Sequence, residues 1–133
     1  DVYKRQVYVY RESKLSAVLA DEKVQSFLQQ EGYRLPEAGE PLDVSGMLTQ
    51  LSRRLCCSAD FPHEIGVFLG YPLDDVVGFI ENRGKNFTCC GCWKSYGDPD
   101  AAQKHFDQLS KCTAVYLRMF HSGTSILRLA VAA

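Results

Sequence analysis

Ile65-Gly66-Val67-Phe68-Leu69, closed by Gly70, is the stretch whose reading decides the fold. An unbroken apolar run with no polar residue at any period reads as a strand covered on both faces. Downstream of it, Pro72 suits the first turn of a helix over 72–83, and Asp74 and Asp75 favour that helix's positive end. Leu73, Val76, Val77 and Ile80 form its apolar stripe and Gly84 its C-cap. Phe87 to Tyr96 then reads as a second strand. Asp98-Pro99 opens the longest helix, over 99–121, whose stripe of Phe106, Leu109, Cys112, Tyr116 and Phe120 is to be buried before Gly123 stops it. Ser125 to Val131 reads as a final strand.

Upstream, Val7-Tyr8-Val9-Tyr10 is β-branched and aromatic, the composition of a short strand. Ser13 to Leu19 has Leu15, Val18 and Leu19 on one helical face. Asp21 caps a further helix through Gln30, which buries Val24, Phe27 and Leu28 and stops at Gly32. Tyr33 to Pro41, with two prolines and a glycine, is a loop. Asp43 caps a helix in which Met47, Leu48, Leu51 and Leu55 recur at helical spacing. Strand, helix, strand, helix, strand with short connections implies an α/β or α+β fold: a mixed or parallel sheet of about four strands covered by helices.

The chain has 133 residues, 46% of them hydrophobic and 23% charged, with 15 basic against 16 acidic side chains. That is the balance of one globular domain with a full core. It has no basic stripe, so a nucleic-acid partner is not expected. No apolar run approaches the ~20 residues that span a bilayer, so a membrane partner is not expected either. Asp1-Val2-Tyr3-Lys4-Arg5-Gln6 matches the translation of a sequencing-library adapter, as in an assembled environmental read. On that reading residues 1–6 are a scar, 7–133 form the single domain, and part of its N-terminus is missing. The six cysteines include adjacent pairs, with no secretory signal, so reduced thiols and a cytoplasmic location are expected.

Three places could hold chemistry. His63 and Glu64 stand at the entrance of the 65–69 run, where neighbours on a strand point to opposite faces. His63 is a candidate metal or haem ligand or general base, and alternatively a partly shielded residue hydrogen-bonded to the backbone. Cys89-Cys90-Gly91-Cys92 contains a Cys-x-x-Cys, but it lacks the second pair of a zinc site and does not sit at a helix N-terminus as a redox pair does. Small buried side chains are the alternative there. Trp93-Lys94-Ser95-Tyr96-Gly97-Asp98 is the third. Were the strands parallel, Tyr71, Trp93, Lys94, Tyr96 and Asp98 would gather at their carboxyl ends, where open sheets bind ligands. A solvated lysine and a helix-capping aspartate are the plainer reading.

Phe61-Pro62-His63-Glu64 through Asp74-Asp75-Val76, followed by Gly91-Cys92-Trp93-Lys94-Ser95-Tyr96-Gly97-Asp98, resembles a bacterial domain-of-unknown-function family numbered 3793. Lys111-Cys112-Thr113 and Tyr116 fit its later helix, and the resemblance runs from about Val7 to Leu129. It implies a small cytosolic protein of anaerobic gut-type bacteria and brings no established activity. Members begin with an earlier segment that contains a cysteine, and many have an aromatic residue where this chain has Cys92. Two function classes stand: a binding or regulatory protein for a small ligand, metal or haem, using His63 and the Tyr71–Tyr96 crevice; and a thiol-dependent enzyme pairing His63 with a cysteine of that earlier segment.

Overall fold

A computed structural model of the chain describes residues 7–131. The suspected adapter, residues 1–6, lies outside them. The elements in order are α1 (Glu12–Ala20), α2 (Glu22–Gln30), α3 (Val44–Cys57), α4 (Ile65–Phe68), α5 (Leu73–Asn82), β1 (Cys89–Cys90), β2 (Lys94–Ser95), α6 (Pro99–His121) and α7 (Ile126–Val131). The expected α/β or α+β fold with a four-stranded mixed or parallel sheet is therefore overturned. Among the described residues the protein is mostly helical, and its sheet is one two-stranded antiparallel hairpin.

Each misread strand has a local reason. Ile65–Phe68 is a single helical turn. Leu69 N–H bonds the Ile65 carbonyl at 3.0 Å, and Tyr71 N–H reaches back to the Gly66 carbonyl at 2.9 Å across Gly70, whose φ is 83°. That is a helix-ending loop, which needs a residue tolerant of positive φ. Gly66 is needed for space: a Cβ there would lie 2.8 Å from Val76 Cγ2. Residues 126–131 are helical because Ser125 Oγ accepts from Arg128 N at 3.3 Å, a capping contact that the apolar composition masked. Residues 87–96 form a hairpin broken at Gly91, pairing Cys89 with Ser95 and Cys90 with Lys94. Val7 to Tyr10 adopts no regular structure, and among the described residues no strand pairs with it.

The helices marked by caps stand where their chemistry puts them. Asp21 accepts from Lys23 N at 2.9 Å and Val24 N at 3.1 Å, opening α2. Asp43 accepts from Gly46 N at 2.9 Å on α3, and Asp98 from Asp100 N at 3.0 Å on α6.

The chain divides into two compact units, the first ending at Val77 and the second beginning at Gly78, within α5. In the first unit α1 packs on α2, α3 and α4 around Leu15, Leu19, Val24, Leu28, Met47, Leu51, Val67 and Phe68. Leu19 and Leu28 are wholly buried, each contributing about 1.5–3 kcal/mol relative to exposure. The second unit has a smaller core centred on Phe106 of α6, against the hairpin. Cys112 is exposed, which corrects its expected place on the buried stripe of the long helix. Among the described residues no helix is long and apolar enough to cross a membrane.

Candidate functional site

The first unit holds a cluster built on one buried carboxylate, Glu64. Past the end of α2 the chain turns through Gly32 (φ 94°), and Tyr33 N–H turns back to the Leu28 carbonyl at 2.9 Å. That bond brings the Tyr33 ring into the core, 5.8 Å from Phe68. Its hydroxyl donates to Glu64 Oε1 at 3.0 Å. Glu64 is 1% exposed at the entrance to α4. Arg54 is three residues beyond the buried Leu51 on α3, and its Nε donates to the same Oε1 at 2.8 Å. The guanidinium also lies 5.2 Å over the Tyr33 ring, donates to the Glu31 carbonyl and stands 3.9 Å from the Glu31 carboxylate.

A buried carboxylate without partners would cost several kcal/mol, so two donors on one oxygen are what allow Glu64 its position. Burial, and then the charge of Glu64, push the Tyr33 hydroxyl above the ordinary tyrosine range, so Tyr33 remains a proton donor. Through Arg54 and Tyr33, Glu64 ties the entrance of α4 to α3 and to the loop after α2.

That turn forms one wall of a cleft of about 540 Å³, which residues 7–11 and α1 complete. Val67, Phe68, Leu69 and Gly70 face Tyr8, Tyr10, Leu15 and Val18. Tyr8 donates its hydroxyl to the Phe68 carbonyl and stacks on Tyr10 with ring centroids 5.2 Å apart. Burial and the neighbouring Tyr10 raise the Tyr8 pKa, which keeps that donor protonated. Among the described residues lining the cleft, Arg11 and Lys14 carry charge, both positive. The sequence reading singled out none of these side chains; its signal was Arg11 and Lys14 beside two tyrosines. Arg54 and Tyr33 were also missed, although an arginine one turn beyond Leu51 and two beyond Met47 was a visible irregularity.

The candidates taken from sequence are distributed over both units. His63, Glu64 and Tyr71 belong to the first unit; Trp93, Lys94, Tyr96 and Asp98 belong to the second. Among the described residues no parallel sheet offers strand ends to form the expected crevice. His63 is exposed, its ring 5.4 Å from that of Phe61, rather than partly shielded at a strand entrance. Tyr71 packs its ring on Gly66. Lys94 Nζ donates to the Gly84 carbonyl at 2.8 Å, near the C-terminal end of α5, and lies 5.1 Å over the Phe87 ring. Tyr96 packs on Gly78, and Asp98 caps α6. Trp93 meets Phe106 edge-on at 4.8 Å and His105 at 5.4 Å. Cys90 and Cys92 are exposed and Cys89 half-buried, in place of the buried thiols considered from sequence. Among the described residues no group of three or more His, Cys, Asp or Glu side chains could hold a metal ion.

The family described as a protein of unknown function, DUF3793, matches residues 2–130 of the 133-residue chain. The chain belongs to that family. No curated protein and no solved structure matches it.

Proposed function

We propose that the chain is a binding protein for a small amphipathic organic anion, held in the cleft between residues 7–11, α1 and α4. The carrying observation is the wall formed by the described residues: tyrosine and aliphatic side chains beside the cations Arg11 and Lys14. Its volume of about 540 Å³ falls among those of small-molecule sites, roughly 300–1,000 Å³. The apolar wall takes the ligand's body and Lys14 takes its carboxylate, sulfonate or phosphate. Glu64 has a positioning role, through the α4 turn it anchors, and the ligand does not touch it.

Fluorescence titration with anilinonaphthalene sulfonate tests this. The expected result is saturable single-site binding that Lys14→Glu weakens tenfold or more, about 1.4 kcal/mol, by reversing one charge beside the anion. Binding that is unsaturable, or unchanged in Lys14→Glu, overturns the reading.

A further inference from the structure

The second unit carries apolar surface that its small core does not use. Val115, Leu117, Met119 and Phe120 of α6 and Ile126 and Leu127 of α7 are exposed, from 38% for Met119 to 81% for Leu127. Exposed apolar side chains gathered on one pair of consecutive helices mark an interaction surface. Charge is segregated there as well. From Gln108 to Val131 the sequence holds Lys111, Arg118 and Arg128 and no aspartate or glutamate, although the whole chain has 16 Asp and Glu against 15 Lys and Arg.

Local geometry presents the two kinds of side chain together. Lys111, Val115, Arg118 and Met119 recur at the spacing of one face of α6. Gly123, with φ 101°, reverses the chain, and Thr124 N–H bonds the Met119 carbonyl at 2.9 Å. α7 then packs against α6 and exposes Ile126, Leu127 and Arg128 at the tip. A nucleic acid would meet the cations but offers nothing to the aliphatic groups. Anionic lipid meets both, with apolar side chains entering the headgroup boundary and basic ones on its phosphates.

We propose that this helix–turn–helix end, Lys111 to Arg128, docks on an anionic membrane surface. Such docking lies in the interface and needs no spanning helix, so the absence of a long apolar run does not oppose it.

Co-sedimentation of the full chain with vesicles decides the matter, comparing phosphatidylcholine alone with equal parts phosphatidylcholine and phosphatidylserine. Binding is expected to the mixed vesicles only and to fall as salt rises. Arg118→Gln with Arg128→Gln should weaken it about 30-fold. Leu127→Glu should abolish it, with circular dichroism unchanged because that side chain is 81% exposed. No binding to the mixed vesicles, equal binding to both kinds, or vesicle binding that neither variant affects overturns the proposal. So does a concentration-dependent dimer in sedimentation velocity that Leu127→Glu dissolves, since a second copy then covers this face.

Discussion

Arg54 Nε lies 2.8 Å from Glu64 Oε1, joining α3 to the entrance of α4 through a carboxylate whose side chain is 2% exposed. Arg54 itself is 30% exposed, so removing it strands a buried charge without uncovering the core. Arg54→Met is expected to cost about 3 kcal/mol, at the low end for breaking a buried pair because water can reach the vacated side. Glu64→Gln should cost less, about 1–2 kcal/mol, since an amide oxygen still accepts from Tyr33. Urea unfolding of both variants gives these numbers. An Arg54→Met protein within about 0.5 kcal/mol of wild type would show that the pair does not hold α4.

Tyr33 supplies a pH test. Its hydroxyl is raised above the usual ~10, by burial first and by Glu64 second. Below the unfolded value the phenol is neutral in both states, so its contribution is fully present. Above that value the unfolded chain ionises while the folded one does not, so the contribution is lost as pH climbs toward the folded value. The stability difference between wild type and Tyr33→Phe should therefore be flat to about pH 10 and then shrink by up to about 1.4 kcal/mol per pH unit. A difference that stays constant, or grows, through alkaline pH would remove Tyr33 from the cluster.

The thiols give a third prediction. Cys56, Cys57, Cys90, Cys92 and Cys112 are exposed, and Cys89 is half-buried with its sulfur 3.7 Å from Gln103 Oε1. Under reducing preparation the native chain should react quickly with a thiol reagent at the five exposed positions and more slowly at Cys89. Protection of Cys112 until denaturant is added would contradict its exposed place on α6 and restore the buried stripe expected from sequence.

What the sequence made legible was local. Asp21, Asp43 and Asp98 mark three helix starts, and Gly32, Gly84 and Gly123 three ends, because caps and positive-φ turns are settled within a few residues. The run at 65–69 carried no period to read. Its helical turn is set by Gly66 meeting Val76 and by the Tyr71 bond across Gly70, contacts that no propensity encodes. The same limit applied to the site. Glu64 could be singled out, but its partners come from 10 and 31 residues away on α3 and the end of α2. The cleft depends on an irregular segment, residues 7–11, whose alternating Val and Tyr imitate a strand.

The most direct measurement of the central claim is an amide chemical-shift titration of the nitrogen-labelled chain with anilinonaphthalene sulfonate. The cleft reading predicts saturable shifts concentrated at Tyr8, Tyr10, Lys14, Val18, Val67 and Leu69, which line it, and little change along the Lys111–Arg128 segment. Shifts that gather on the exposed apolar end of α6 and α7, or scatter over both units without saturating, would contradict it.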